Sequence, residues 1–271
     1  MSDGTDEAAV AGAPETDPEF RVLLEEVRAR YNFDLREYKE ISLALRIRHR
    51  MAAAHVNSFA AYRRHLDENP DEHVELFNTI LINVTGFFRD ADAWAALADD
   101  VIPRIIADAE ESRSLRIWCA GCSSGEEPFT VAMLLAERLG GNAASYSVKI
   151  YGTDIDDEAL TAARHALYRT DQIKDVPERL LDRYFVREGQ LYRFRRDSRR
   201  WCIFGAHNLT QAPPLSHVDL LVCRNVLIYF TSELQERILG RFHYALRDNG
   251  FLLLGRSESL LARSKLFAPS T

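Results

Sequence analysis

An eleven-residue stretch, WCAGCSSGEEP from Trp118 to Pro128, combines residue types that could do chemistry. Cys119 and Cys122 have the spacing of a metal or redox pair, and the glycines suggest a phosphate-binding turn. Structural zinc sites use four ligands, usually as two close pairs, whereas Cys202 and Cys223 form no second close pair. The sequence therefore predicts no metal site, and it favours the cysteines as small residues in tight strand and loop positions.

The two adjacent carboxylates of this stretch, Glu126 and Glu127, indicate the charge of the ligand. They would repel a pyrophosphate, and the chain has neither a Gly-x-Gly-x-x-Gly nor a Gly-Lys-Ser/Thr signature. Glycine and small residues let a ligand approach the backbone closely, and the carboxylates suit an ammonium or sulfonium group. S-adenosylmethionine carries both of these groups, so it is the ligand that the stretch favours.

A second acidic motif, TDID at residues 153–156, places Asp154 at the end of an apolar stretch. A carboxylate at the end of a strand can accept hydrogen bonds from ribose hydroxyls. NAD would make the same contact, so Asp154 alone does not distinguish the two cofactors. The alternative is that Asp154 caps the following helix, although Asp156 or Asp157 can also fill that position.

The elements that must position these residues change character near Ser114. Residues 19 to about 110 have apolar residues at helical spacing, with Pro103 expected to kink or divide the last helix. From Ser114 onward, strands alternate with helices, which predicts an α/β fold with a doubly wound, mainly parallel sheet and a ligand at the carboxyl ends of its strands. Residues 184–207 interrupt this alternation and predict a small antiparallel insertion of two or three strands.

This pattern predicts four regions along the chain. They are a disordered acidic tail (1–18), a helical N-terminal domain (19–80), a linker with a helix (81–113) and the ligand-binding domain (114–271) with a β-subdomain at about 184–207. The net charge of −7 argues against nucleic acid as a main partner. The sequence contains no apolar run of about 18 residues, which argues against insertion into a membrane. Four unevenly placed cysteines and an N-terminus without a secretory pattern predict a cytoplasmic location.

Six segments together resemble the CheR family of chemotaxis-receptor glutamate methyltransferases, over residues from about 20 to 265. In the family's order they are NVTGFFRD (83–90), WCAGCSSGEEPFTVAM (118–133), TDID (153–156), HNL (207–209), CRNVLIYF (223–230) and LLLGRSES (252–259). CSSGEEP and CRNVLIYF are the most specific of them. The resemblance implies an all-α N-terminal domain followed by a Rossmann-like domain that binds S-adenosylmethionine and bears a small antiparallel β-subdomain.

The resemblance also implies roles for residues at the matching positions. The implied cofactor contacts are Asn83, Thr85, Arg89, Ala120, Glu126, Asp154, Asn208, Leu209, Arg224 and Asn225. Among them, Glu126 would take the amino group of the methionine moiety and Asp154 the ribose. Arg89 and Tyr229 would lie beside the transferred methyl group as catalytic residues. A substrate glutamate, with a pKa near ~4.3, is already ionised at neutral pH, so the reaction needs alignment of the reacting atoms and no catalytic base.

Positive charge is concentrated in residues 39–65, where six Lys and Arg side chains are accompanied by one carboxylate. The cytoplasmic helices of methyl-accepting chemotaxis receptors are rich in acidic residues, so this region predicts a docking face. Its partner-binding candidates are Arg46, Arg48 and Arg50, and a solvated face is the alternative. Two other functions are left open. One is methylation of a signalling protein outside chemotaxis, and the other is a non-catalytic sensor of S-adenosylmethionine or S-adenosylhomocysteine.

Overall fold

The computed structural model describes residues 17–31, 33–81, 83–258 and 266–270. The tail predicted to be disordered lies outside these ranges up to residue 16. The backbone divides into two compact units. One comprises the described residues before Asn83 together with Tyr229–Thr231, and the other comprises Asn83–Ile228 and the described residues from Ser232 onward.

The first unit is helical, as its sequence periodicity predicts. Its helices are α1 (Pro18–Tyr31), α2 (Glu40–Ala53), α3 (Phe59–Glu68) and α4 (Glu72–Ile80). Each turns an apolar face inward, which in α1 consists of Phe20, Leu23, Leu24 and Val27 at helical spacing. The helix α3 is capped by Ser58, whose hydroxyl accepts a hydrogen bond from the Ala61 N–H at 3.2 Å. Among the described helices of the whole chain, none has the length and apolar character needed to cross a bilayer.

The second unit is an α/β domain. Its strands are β1 (Ser114–Ala120), β2 (Ser147–Asp154), β3 (Leu167–Arg169), β4 (Phe185–Glu188), β5 (Leu191–Phe194), β6 (Cys202–Ala206), β7 (Val218–Cys223) and β8 (Leu246–Leu254). Its helices are α5 (Ala91–Ala96), α6 (Ile102–Asp108), α7 (Glu126–Leu139), α8 (Asp157–His165), α9 (Glu178–Tyr184), α10 (Arg196–Arg199) and α11 (Ser232–Ala245). The fold class is therefore the predicted one.

Five of these strands form a parallel sheet in the order β6-β2-β1-β7-β8. After β1 the chain builds outward through β2 and β6, and it then returns to place β7 on the opposite side of β1. The order thus reverses between β1 and β7, which is the position where open α/β sheets bind ligands. The neighbouring strands β1 and β7 are almost wholly buried, as expected for a parallel sheet covered on two faces.

A second, antiparallel sheet has the order β3-β5-β4 and forms the small β-subdomain. The predicted range of 184–207 is wrong at one end, because β6 pairs in parallel with β2 in the large sheet. It also omitted β3, which supplies the third antiparallel strand. The physical reason is that β6 is an edge strand whose residues are all at least partly exposed, so its sequence does not distinguish the edge of a parallel sheet from a hairpin.

Pro103 lies where the helical segment after residue 90 changes its winding. A π-helical turn, Leu97–Val101, joins α5 to α6, and Pro103 occupies the first turn of α6. Proline lacks an N–H and clashes with the carbonyl of the preceding turn, so a wider π turn accommodates it. The backbone at Leu97, Val101 and Ile102 stays right-handed helical. The proline therefore changes the pitch of the segment without ending it.

Candidate functional site

The candidate site lies at the carboxyl ends of the parallel strands, beside the point where the strand order reverses. Ala120 is the last residue of β1 and Asp154 is the last residue of β2. Arg224 and Asn225 directly follow the end of β7. The parallel sheet thus gathers at one edge four candidates that are far apart in sequence.

The loop after β1 passes its neighbours too closely for ordinary side chains at two glycines. Gly121 has a φ of 72°, and a Cβ there would collide with the Val226 side chain after β7. Gly125 has a φ of 93° at the N-cap of α7, where a Cβ would lie 2.9 Å from the Ala163 Cβ. Positive φ and these contacts both exclude larger residues. The loop therefore presents bare backbone at the start of α7.

Glu126 is a buried carboxylate with few partners, placed in the first turn of α7. It is 1% exposed, and the helix dipole favours negative charge at this position. The Ser124 hydroxyl lies 2.9 and 2.8 Å from its two oxygens, and Thr85 also hydrogen-bonds to it. Burial raises the pKa of Glu126, and these hydrogen bonds offset the rise only in part. A hydroxyl donates one proton at a time, so the carboxylate keeps acceptor capacity that suits an ammonium group.

Asp154 joins the end of β2 to the loop after β1. Its Oδ2 accepts a hydrogen bond from the Ser123 N–H at 2.7 Å, and its Oδ1 accepts from the N–H groups of Ile155 and Asp156. Burial nevertheless raises the pKa of Asp154 above its ordinary value. An ionised carboxylate has about four lone-pair sites, so three of them are occupied. The remaining capacity suits a further hydroxyl donor such as a ribose.

Asp156 is the cap of α8, which leaves Asp154 free of the alternative role considered for it. Its Oδ1 accepts hydrogen bonds from the N–H groups of Glu158 and Ala159. Its Oδ2 accepts one from the Asn83 side-chain amide at 2.5 Å. The start of the 83–90 segment is thereby held near the end of β2. Sequence reasoning named Asp156 only as a possible cap and missed its contact with Asn83.

Arg89 lies in a strained stretch of backbone. Phe88 and Asp90, on either side of it, have φ values of 53° and 62°, in the left-handed region that non-glycine residues rarely adopt. The Arg89 Nη1 donates to the Val84 carbonyl at 2.6 Å, and the Arg89 carbonyl accepts from the Trp94 indole N–H at 2.8 Å. Strain of this kind persists only where surrounding contacts hold it, and it is frequent at functional sites.

A cavity of about 730 Å³ connects this segment to the start of α7. Four predicted cofactor residues line it: Asn83, Thr85, Arg89 and Glu126. Its opposite wall is a charged loop, residues 169–175, which includes Arg169, Asp171, Gln172, Lys174 and Asp175. The sequence signal for that loop was a run of charged residues directly after β3, and sequence reasoning did not use it. The cavity is large enough for a small-molecule ligand.

The Arg224 side chain is turned into the protein, where it is fully buried. It forms ion pairs with Asp90 and Glu127 and stacks over Trp94. The structure therefore gives the side chain of this predicted cofactor contact internal partners, while its backbone remains at the edge of the sheet. Asp90 and Glu127 are further residues that sequence reasoning did not connect to it.

Three other predicted contacts lie in two tight turns. Asn225 has a φ of 59°, and the buried Glu258 holds the following turn, because its Oε1 accepts from the N–H groups of Val226 and Leu227. The Asn208 Oδ1 accepts two hydrogen bonds from Thr210, one from its N–H and one from its hydroxyl. The Leu209 carbonyl accepts from Arg241. These contacts fix both turns at the carboxyl edge of the sheet.

The cysteines are free thiols within the core. Cys119, Cys122 and Cys223 are buried, and burial raises their pKa values well above the ordinary range. A thiol with a raised pKa is a poor nucleophile and a poor metal ligand. In the part of the chain that the structure describes, no group of three or more His, Cys, Asp or Glu residues is placed to hold a metal ion.

The helical unit contains Tyr229 and the three predicted docking arginines. The Arg46 guanidinium lies 4.5 Å from the centre of the Tyr229 ring, and its Nη1 donates to the Ile80 carbonyl. Arg50 makes two hydrogen bonds to the buried Glu72, whereas Arg48 lies 5.6 Å from the ring of Phe59. The side chains of Arg46 and Arg50 thus already have hydrogen-bond partners within the helical unit.

A buried carboxylate whose partners are hydroxyl groups, beside a cavity at the carboxyl edge of a parallel sheet, fits a cofactor that carries positive charge. The protein is an S-adenosylmethionine-dependent methyltransferase. More closely, the chain belongs to the CheR methyltransferase family. The model of that family's SAM-binding domain matches residues 83–271, and the model of its all-alpha domain matches residues 18–81.

Several curated proteins are similar to this chain. A chemotaxis protein methyltransferase of Listeria monocytogenes is 32% identical over 248 residues, which are 92% of both chains. The chemotaxis protein methyltransferase of Escherichia coli is 33% identical over 253 residues, or 90% of this chain and 85% of that protein. An uncharacterized 104.1 kDa protein of Rhodobacter capsulatus is 38% identical over 225 residues, and the chain spans 24% of its length.

Proposed function

We propose that this protein transfers methyl groups from S-adenosylmethionine to glutamate side chains of chemotaxis receptors. The observation that supports it most is the cavity in which Glu126 and Arg89 both take part. A carboxylate and a guanidinium in one cavity suit two charged groups, the cationic cofactor and an anionic substrate carboxylate. The similar chemotaxis protein methyltransferases, which match nearly their full length, support the receptor as substrate.

The residues of the site fit the cofactor. Glu126 would bind its ammonium group, Asp154 a ribose hydroxyl, and Asn83 and Thr85 would line the cavity between them and Arg89. The Ser123 hydroxyl oxygen, a buried polar atom in this region, has no partner among the described residues. Buried polar atoms are rarely left unsatisfied, so this hydroxyl is available to a ligand. S-adenosylmethionine would supply an electrophilic methyl group. Its transfer to a carboxylate oxygen forms the ester, breaks the bond between the methyl carbon and the sulfonium sulfur, and leaves S-adenosylhomocysteine.

The protein's part in this reaction is to orient the substrate carboxylate and exclude water. Arg89 uses one of its five N–H donors on the Val84 carbonyl, and the others can bind a carboxylate in a fixed fork. Such positioning is worth roughly 7–11 kcal/mol when the reacting atoms are aligned. Removal of water matters because the carboxylate is strongly hydrated. The Tyr229 hydroxyl is the second candidate for orienting the carboxylate.

We further propose that α2 docks the receptor. Receptor segments that carry methylated glutamates are acidic, and α2 carries four basic residues, counting His49, between residues 46 and 50. Of the three predicted docking arginines, Arg48 is the best supported, because contact with an aromatic ring leaves its N–H donors for a partner. A cytoplasmic location follows from such a receptor substrate and belongs to the same proposal.

Incubation with labelled S-adenosylmethionine and receptor cytoplasmic fragments tests the proposal. We expect label in the receptor as a base-labile methyl ester, and none when the methylated glutamates are replaced by alanine. Label in a signalling protein outside chemotaxis, with none in receptors, would replace the proposed substrate. Binding of S-adenosylmethionine without transfer to any carboxylate would instead indicate a sensor.

A further inference from the structure

A single buried guanidinium connects the two segments that carry the main site residues. The Arg224 side chain is 0% exposed, and its Nη2 donates to the Asp90 Oδ2 at 2.6 Å. Its Nη1 donates to the Glu127 Oε1 at 3.1 Å, and its Cζ lies 5.2 Å from the centre of the Trp94 ring. Arg224 is therefore bound to the 83–90 segment, to α7 and to α5 at once.

The partners of Arg224 are the direct sequence neighbours of Arg89 and Glu126, the two cavity residues with proposed catalytic and cofactor roles, and Asp90 itself also lines the cavity. Asp90 follows Arg89, and Glu127 follows Glu126. Neither Asp90 nor Glu127 needs to touch a ligand to affect the site, because a shift of either backbone moves the neighbouring side chain. The fork of the guanidinium fixes the separation between these two points, which an ammonium group with one centre of charge would not do.

The backbone around Arg89 requires such a restraint. Asp90 has a φ of 62°, and Phe88 has a φ of 53°. Left-handed residues other than glycine are costly, and they persist when contacts elsewhere determine the conformation. The ion pair to Asp90 and the hydrogen bond from the Trp94 indole to the Arg89 carbonyl supply two such contacts. Arg224 contributes to both, since it pairs with Asp90 and stacks on Trp94.

We propose that Arg224 is a positioning residue, which acts through Asp90 and Glu127 to hold Arg89 and Glu126 at the separation that methyl transfer requires. Its side chain is not a cofactor ligand in this account. Arg89 and Glu126 have their catalytic and cofactor roles from the proposed function, so the inference rests on that function. Buried ion pairs are weak contributors to net stability, whereas they can select one arrangement among several, which is the role assigned here.

The test compares Asp90→Asn, Glu127→Gln and Arg224→Lys with the wild-type protein. Asparagine tolerates the left-handed conformation, so Asp90→Asn removes the charge and keeps the backbone preference. We expect Asp90→Asn to lower kcat for receptor methylation about 10- to 100-fold, because misplacement by about 1 Å costs that much, while the Kd for S-adenosylmethionine changes less than about threefold. Arg224→Lys should lower kcat and also weaken cofactor binding, since it releases both partners.

The double variant Arg224→Lys/Asp90→Asn separates positioning from independent effects. If Asp90 acts only through Arg224, the double variant has the kcat of Arg224→Lys alone. The matched control is Asp92→Asn in α5, the helix that begins directly after Asp90. This substitution breaks an exposed ion pair between Asp92 and Arg256. It should keep wild-type kcat and Kd. Circular dichroism and thermal unfolding establish that each variant is folded.

Two results would overturn the inference. One is a folded Asp90→Asn protein with wild-type kcat. The other is a pair of affinities: Glu127→Gln has the wild-type Kd for S-adenosylmethionine, whereas the Kd of Arg224→Lys is at least about 10-fold higher. That combination would show that the Arg224 side chain is itself a cofactor ligand. Failure of the proposed function is distinguishable, because the wild-type protein itself would then not methylate receptors. The cofactor Kd values of the Glu127 and Arg224 variants would still decide the inference in that case.

Discussion

At the scale of single residues, two adjacent glutamates of one helical turn have different tasks. Glu126 lines the cavity and has a serine and a threonine hydroxyl as partners. Glu127 points to Arg224 and has one oxygen without a partner among the described residues. Burial raises the pKa of both carboxyls. A cation in the cavity is the natural counter-charge for the first, and the buried arginine is the counter-charge for the second.

The raised pKa of Glu127 has a consequence for stability. Burial raises it to about 7, although Arg224 acts in the opposite direction. An acid whose pKa is higher in the folded state keeps a proton that the same group in the unfolded chain has lost. Its contribution to the free energy of unfolding is therefore full below the pKa of the unfolded chain, and it is lost as the pH rises through the pKa of the folded protein. The free energy of unfolding of the wild type relative to Glu127→Gln should therefore fall by about 3 kcal/mol between about pH 4.5 and about pH 8.

Urea unfolding of both proteins across that pH range measures the difference, and every other titrating group cancels between them. A difference that stays constant with pH would show that Glu127 ionises at an ordinary pKa. The guanidinium would then compensate fully for burial, and the pair would be an ordinary ion pair over the whole range.

At the scale of elements, two arginines of α2 bind groups within the helical unit, and a third is proposed to bind the receptor. Arg50 anchors to the buried Glu72, which also accepts a hydrogen bond from the Tyr62 hydroxyl at 2.7 Å. Arg46 is anchored to the Ile80 carbonyl and stacks on Tyr229. A variant at either position would disturb the helical unit or the candidate catalytic tyrosine, and it would not test docking alone. The basic helix predicted from its charge is thus also a structural part of its unit.

Arg48 is the position at which docking can be tested separately. Arg48→Glu should raise the KM for receptor about 10-fold by placing negative charge against an acidic partner, with the Kd for S-adenosylmethionine unchanged. Arg28→Glu, on α1, is the control, because the Arg28 side chain is 49% exposed and lies outside the basic region. An equal rise in KM for both variants would indicate an effect of total charge, and no rise for Arg48→Glu would remove α2 as the docking face.

Elements with strong local signals were predictable from sequence, and elements defined by their partners were not. The inward residues of α1 follow from helical spacing, and β1, β2 and β7 follow from short apolar runs between turns. The strand β6 was misassigned because its parallel partner β2 lies far away in sequence. The π turn before Pro103 depends on how the proline ring meets the preceding carbonyl, which composition does not specify.

At the scale of the whole molecule, each of the two units contains part of the predicted machinery. The α/β unit holds the predicted cofactor residues, and the helical unit holds the predicted docking arginines together with Tyr229. Sequence motifs predict site roles for Glu126, Asp154 and Arg89, because these positions are recognisable from their types and order. The contacts of Arg224 were not predictable, since Asp90 and Glu127 meet it only after the sheet has formed.

The most direct test of the account is calorimetric titration of S-adenosylmethionine into the wild-type protein and into Glu126→Gln. The buried carboxylate is assigned to the cofactor's ammonium group, and a charge-assisted hydrogen bond is worth about 1.5–3 kcal/mol. We therefore expect the wild type to bind and the variant to bind about 10- to 100-fold more weakly, with both proteins folded. Equal affinities, or a wild-type protein that does not bind S-adenosylmethionine, would contradict the account.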